Sequence, residues 1–178
     1  MTSLNREEFI QAYLAGERNF CGANLSKLDY FEALLADVNL TAANLSQAYL
    51  PYAQLQRAIL IKANFTEAEL GDTQLYQANL TAANLAGANL SRANLRAANL
   101  QGANLQGADL TRADLRGANL AGADLRDAIL SRANLDAAVL DQAQLQGTNL
   151  FQSMGLESKG IIYDFRTKFP DGHHQHFG

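Results

Sequence analysis

The chain has 178 residues, a formal net charge of −4 and 48% hydrophobic residues, with one cysteine and no tryptophan. That length fits a single domain, and one cysteine excludes an intramolecular disulfide. The acidic balance argues against nucleic acid as a partner.

Residues 1–17 read as an amphipathic helix. Asn5 with Glu8 three residues on has the pattern of a capping box, Phe9, Ile10, Tyr13 and Leu14 form an apolar stripe, and Gly16 stops the helix. Met1 to Glu8 carries no basic, apolar leader, and no stretch approaches the ~20 apolar residues of a membrane span. The expected location is therefore the cytoplasm, with no membrane contact.

From Phe20 to Leu150 every fifth residue is Leu or an aromatic, and the residue two positions before it is nearly always small, in 22 units Ala. An α-helix would scatter these leucines, because five residues advance about 500° around its axis. A plain strand alternates with period two and would lose its register at each repeat. The frame fits a unit made of one short extended side and a corner. In Ala88-Asn89-Leu90 the Ala and Leu point inward and Asn points to water, and Ser91-Arg92 turns the chain. Gly87, Gly102, Gly107, Gly117, Gly122 and Gly147 occupy the second corner position, where a type II turn requires a positive φ. Arginine disfavours that φ, so Arg92, Arg112 and Arg132 are expected to adopt a different turn. The fold class is all-β, a parallel β-solenoid, and the period leaves open whether three or four units close one coil.

The A(N/D)LXX frame, as in Ala88-Asn89-Leu90-Ser91-Arg92 and Ala108-Asp109-Leu110-Thr111-Arg112, resembles the pentapeptide-repeat family. The resemblance covers residues 18–152, where 24 of the unit centres are Leu and 22 of the preceding inward residues are Ala, which makes it specific. It implies a right-handed quadrilateral β-helix with four units per coil, hence about seven coils and a rod roughly 30 Å tall. Glu17-Arg18-Asn19-Phe20 looks like the usual start of the first repeat in that family.

Three segments are expected: an N-terminal helical cap over 1–17, the β-helix over 18–152, and a C-terminal cap and tail over 153–178. A cap is needed because an open coil presents unpaired backbone groups. Ile161, Ile162, Tyr163, Phe165 and Phe169 supply apolar surface for the far end, and Thr167-Lys168-Phe169-Pro170-Asp171-Gly172 resembles a terminal motif of some family members.

Two surface features are candidate interaction sites. Stacking at twenty residues places Phe31 beneath Pro51, with Tyr52 adjacent and Tyr49 on the preceding side, which forms an aromatic patch. It also places Arg92, Arg112 and Arg132 in one column, and Arg96 and Arg116 in the column across that side. Five guanidiniums on one face suit an acidic partner, unless Asp109, Asp114, Asp127 and Asp136 neutralise them locally.

Other apparent motifs are products of the period. The sequons at Asn24, Asn39, Asn44, Asn64, Asn79 and Asn89 arise wherever Ser or Thr begins a corner, and the paired glycines lack the Lys-Ser/Thr of a phosphate loop. Cys21 falls at an outward corner with no histidine near it in the frame. His173, His174 and His176 form a tail with no other ligand type fixed beside them, so no metal or cofactor is expected. No nucleophile, base and acid fall together, and the chain is expected not to be an enzyme. It is expected to be a protein-interaction or scaffold module with an unidentified protein partner, monomeric in preference to dimeric. The family resemblance raises one alternative, a mimic of duplex DNA acting on DNA gyrase. That role needs dense negative charge, yet residues 78–150 hold six acids and six bases.

Overall fold

The computed structural model describes residues 4–174. Helix α1 (Arg6–Leu14) opens the chain. Its first turn is closed as the sequence predicts, with the Asn5 side chain accepting from the Glu8 amide and Glu8 accepting from the Asn5 amide, both at 2.9 Å. Phe9 and Tyr13 are buried and Ile10 packs against the core. Phe9 meets Phe20 and Tyr30 edge-on at 4.6 and 5.5 Å, which seats α1 on the first coil. Leu14 departs from expectation: it is 68% exposed, because Phe9 and Tyr13 set the face of α1 that meets the coil, the Tyr13 hydroxyl donating to the Ala36 carbonyl at 2.8 Å, and Leu14 lies off that face.

From Asn19 to Met154, parallel bridges join residues twenty apart, beginning Asn19↔Asn39 and ending Asn134↔Met154. Four units therefore close one coil, and the fifteen-residue alternative is excluded. The inward Leu and Ala are buried throughout, and Leu85, Leu105 and Leu125 stack in one column. Each flat side contributes a single bridging residue, so the sides are shorter than ordinary strands.

The five backbone amides of a unit are all accounted for, as buried polar groups require. Around Leu85, the Leu85 amide donates to the Asn104 carbonyl (2.7 Å) and the Gly87 amide to the Gln106 carbonyl one coil on (2.9 Å). The Ala88 amide closes the corner on the Leu85 carbonyl (3.0 Å), and the Asn89 amide returns to Ala68 in the coil below (2.9 Å). The remaining amide, that of Ala86, points to the Asn84 side chain, with Oδ1 at 3.3 Å. Asn therefore does more than face water. It satisfies the one corner amide the ladder leaves over, as Asn39 does for Thr41 at 3.1 Å. Stacked asparagines also bond to each other, as Asn104 Nδ2 does to Asn84 Oδ1 at 3.0 Å. Where Tyr49 replaces Asn, the corner residue two positions on is Pro51, which has no amide to satisfy.

Thr73, Thr148 and Thr167 occupy inward positions and are fully buried. Each hydroxyl donates to a backbone carbonyl of the preceding coil, those of Leu50, Leu125 and Leu145, at 2.7–2.9 Å. Burial of the hydroxyl is thereby compensated.

The ladder continues past the repeat frame with altered spacing. Ile162 bridges Gln144 and Lys168 bridges Asn149, because the Gly155–Gly160 loop shortens the coil. Thr167-Lys168-Phe169 acts as one more unit, with Thr167 and Phe169 inward. Tyr163 and Phe169 meet edge-on at 5.2 Å. Ile162 and Phe165 do not cover the end as expected. Ile162 is the outward residue of its side, and Phe165 is 71% exposed in the connecting turn. Lys168 pairs antiparallel with His174, which occupies part of the last open edge. His176 lies outside the described residues.

All second-corner residues from Gly22 to Gln152 have left-handed φ, whether or not they are glycine. A left-handed L-residue costs roughly 1–2 kcal/mol. Ala97 has φ 52°, and Gly102 has φ 62° with open space where a Cβ would stand. Ala97→Gly is therefore expected to raise the melting temperature, while Gly102→Ala lowers it by the equivalent of about 1 kcal/mol. Equal shifts of one sign in thermal unfolding of the two variants would show that corner φ does not govern their stability.

Candidate interaction surface

The four sides of the coil are named here by one outward residue each, in chain order Asn84, Asn89, Asn94 and Asn99. The corner between the Asn89 and Asn94 sides carries, from the first coil upward, Phe31-Glu32, Pro51-Tyr52, Gly71-Asp72, Ser91-Arg92, Thr111-Arg112 and Ser131-Arg132. The Asn94 side then ends in the column Tyr76, Arg96, Arg116 and Asp136. Both candidate features of the sequence thus lie on one corner, with the aromatic patch low and the arginines high.

The structure brings the aromatic residues together. Phe31 stacks on Tyr49 with ring centroids 6.3 Å apart and 16° between planes, and meets Tyr52 edge-on at 5.8 Å. The three rings are 42%, 46% and 51% exposed. The Glu32 amide donates to the Pro51 carbonyl at 3.0 Å, which fixes Phe31 and Pro51 one above the other. Leu34 on the same coil is also exposed and was missed from the sequence. Its signal was there: Leu34 and Tyr49 stand at the outward position that the frame gives to Asn or Asp. Ile129, Val139, Met154 and Ile162 are exposed too, but each lies on a different side, so they form no patch.

The arginines share their columns as expected, but not their turn. Arg92, Arg112 and Arg132 have φ of 58°, 60° and 62°, close to the 65° of Gly87, Gly107 and Gly117. The expectation of a different corner geometry is overturned. The reason is that the corner amide must meet the next coil, as the Arg92 amide meets the Thr111 carbonyl at 2.9 Å, and only the left-handed φ aims it there.

Most of the five guanidiniums have partners. Arg92 makes a two-pronged bond to Asp72 one coil below, Nε to Oδ1 at 2.8 Å, and Arg116 does the same to Asp114 on its own side, also at 2.8 Å. Arg132 Nε donates to Gln152 Oε1 at 2.8 Å, and the Arg96 guanidinium lies over the Tyr76 ring at 6.0 Å. Among the described residues Arg112 has no side-chain partner. Asp114 thus takes part in the local neutralisation weighed from the sequence. Asp72, which the sequence reading did not include, is the other paired carboxylate.

The paired guanidiniums hold their carboxyls below the usual range. The hydrogen bond from Arg92 lowers Asp72, that from Arg116 lowers Asp114, and that from Arg126 lowers Asp124. Tyr52 acts on Asp72 in the same direction, which couples the aromatic patch to the arginine column.

Elsewhere, a cleft of about 410 Å³ lies beside the C-terminal segment, lined by Ser153, Leu156, Phe169, Asp171 and His173 among others. Among the described residues no group of three or more His, Cys, Asp or Glu is placed to hold a metal ion, and no helix is long and apolar enough to cross a membrane. Cys21 is exposed, as its corner position predicts.

A family profile described as pentapeptide repeats matches residues 39–75, 73–112 and 113–152 in eight copies. The chain belongs to the pentapeptide-repeat family, whose members form right-handed β-helices. A search of curated proteins gives no match. Among solved structures, HetL from the cyanobacterium Nostoc sp. strain PCC 7120, a pentapeptide-repeat protein involved in heterocyst differentiation regulation, is 30% identical; the alignment covers 97% of this chain and all of HetL, with a TM-score of 0.37. The pentapeptide-repeat protein alr5209 from Nostoc PCC 7120 is 28% identical, covering 92% and 98% of the two chains with a TM-score of 0.50. Full-length QnrB1, a plasmid-mediated fluoroquinolone resistance protein, is 16% identical over 92% of this chain and 89% of its own, with a TM-score of 0.49.

A carboxylate whose folded pKa is lowered adds stability above its unfolded pKa of ~3.9, and that contribution is lost as pH falls through the folded value. The melting temperature is therefore expected to fall as pH drops below about 4. A variant with Asp72, Asp114 and Asp124 all changed to Asn keeps acceptors at the same places and should fall less steeply. An identical acid profile for the variant and the parent chain would contradict the assignment.

Proposed function

We propose that this chain is a non-catalytic protein-interaction rod of about seven coils, closed by α1 at one end and by the C-terminal segment at the other. It works in the cytoplasm, and its working surface is the pair of sides that meet at the Phe31-to-Arg132 corner. One observation carries this reading. Between Gln77 and Gly122 every charged side chain is Arg92, Arg96, Asp109, Arg112, Asp114 or Arg116. All six stand on the Asn89 and Asn94 sides or the corners flanking Asn94, while the Asn84 side and the corners on either side of it carry only Ala, Gly, Asn, Gln and Thr over that span. The solenoid frame demands no such separation, because every outward corner position is sterically equivalent. Charge complementarity over a flat rigid face gives specificity and orientation to a protein contact.

The partner is an unidentified protein. The gyrase-directed alternative has less support. Arginines on this face pair with Asp72 and Asp114 rather than leaving a continuous negative surface, and duplex DNA carries about one charge per 1.7 Å of its axis.

Reversal of Arg92, Arg112 and Arg132 to Glu should leave the fold intact, since all three project outward. It should weaken capture of the partner from a native lysate and flatten the salt dependence of that capture. Unchanged recovery of the same partner at every salt concentration would remove the upper corner from the interface.

A further inference from the structure

Three aromatic rings elsewhere on this protein each lie beneath a cation of the same chain. Arg18 lies 3.9 Å from the Tyr13 ring centroid, Lys168 lies 4.4 Å from that of Phe151, and Arg96 lies over Tyr76. The Phe31, Tyr49 and Tyr52 cluster, the largest group of exposed rings among the described residues, has no such cover. Carboxylates surround it. Coil stacking puts Asp29 below and Glu69 above Tyr49, and Glu32 below and Asp72 above Tyr52.

Among the described residues, cations reach only the two ends of this patch. Arg6 of α1 donates to the Asp29 carbonyl at the lower rim, and Arg92 holds Asp72 at the upper rim, where it also meets the Tyr52 hydroxyl and leaves the ring face uncovered. Among the described residues, the carboxylates between them have no cation. Glu69 accepts only from Asn89 Nδ2 at 2.7 Å, and Glu32 makes no side-chain bond among the described residues. Three exposed ring faces with two carboxylates free of counter-charge make a surface complementary to a guanidinium or ammonium group.

We propose that this corner docks a basic, arginine-bearing segment of a partner protein, with a guanidinium over the Phe31–Tyr49–Tyr52 rings and its charge met by Glu32 and Glu69. The proposal rests on the reading of the rod as an interaction module, and it names the chemistry recognised at the lower end of the working surface. Arginine suits the site better than lysine, because its planar group stacks on a ring face while its N–H groups reach carboxylates at the edge.

The repeat frame supplies variants that should fold at least as well as the parent. Phe31→Ser, Tyr49→Asn and Tyr52→Gly together install residues that the frame uses at the same phase, as in Ser91 and Asn89 of the same columns and Gly87 at the neighbouring corner. The full chain is titrated against a dye-labelled hexa-arginine peptide and read by fluorescence anisotropy, with hexalysine and hexaglutamate as comparison probes. The parent chain should bind hexa-arginine more tightly than hexalysine and leave hexaglutamate unbound. The ring variant should lose about tenfold or more in affinity. Glu32→Gln with Glu69→Gln should weaken binding several-fold, while Asp141→Asn with Glu157→Gln, which removes the same charge away from this corner, should not. Ring-variant affinity equal to that of the parent would overturn the proposal, as would equal losses from the two charge-neutralised variants, which would mean attraction to net charge alone. Absence of hexa-arginine binding to the parent chain overturns the corner site only; the interaction reading itself fails when the parent chain captures no protein from the lysate.

Discussion

The amide of each inward leucine reaches the carbonyl of the outward residue one coil on, and the amide of that outward residue reaches back to the inward alanine below. Leu85, Asn104 and Ala83 show the pair at 2.7 and 2.9 Å. These two bonds recur at one fixed offset only while every coil has the same length. A coil that loses residues remakes the pair at a new offset, as the Leu145 amide to the Ile162 carbonyl and the Ile162 amide to the Ala143 carbonyl do at 2.6 and 2.8 Å. The ladder does break step after Leu150, where the Gly155–Gly160 loop shortens the coil and the bridges shift to 144↔162 and 149↔168. The same requirement explains the corners. Twenty non-glycine residues hold a left-handed φ because the amide at that position must face the coil above, and the coil-to-coil bond offsets the local strain.

The period itself was legible in the sequence because each phase of the frame meets one environment in every coil: Leu and Ala inside, Asn on the flat side, a turn at the corner. The number of units per coil was not, since three or four would bury the same residues, and the twenty-residue bridges decide it. Two errors have a common physical source. Reading Asn as a solvated residue overlooked the spare corner amide, and assigning Arg92 a separate turn gave one residue's φ preference priority over a bond shared by every coil. Leu14 and Phe165 were misplaced for a different reason. They lie outside the frame, where apolar character alone does not tell which side of a short segment faces the core.

Surface chemistry in this fold is only loosely coupled to the ladder. Outward corner residues contribute little to packing, so they can be charged, aromatic or small, at a cost of about 1–2 kcal/mol of backbone strain where they replace glycine, without breaking the bonds beneath. The candidate surface was accordingly visible as deviations from the frame: Leu34 and Tyr49 where Asn belongs, Tyr52 where Gly would be easiest, arginines gathered in two columns. Its internal balance was not visible, because the pairing of Arg92 with Asp72 depends on residues twenty apart being neighbours. Among the described residues, that balance sets the polarity of the corner, which is neutralised in its middle, has Arg112 without a side-chain partner above, and has uncovered rings beside carboxylates without a counter-charge below.

The twenty-residue ladder is the claim on which all of these placements depend. Its most direct test is the through-hydrogen-bond scalar coupling between amide nitrogen and carbonyl carbon, measured by NMR on labelled full-length protein. Couplings should join the Leu85 amide to the Asn104 carbonyl and the Asn104 amide to the Ala83 carbonyl, with the same offsets along the rod. Couplings that instead join residues one three-unit coil apart, or no couplings from the inward leucines, would contradict the square coil and every stacked column built on it.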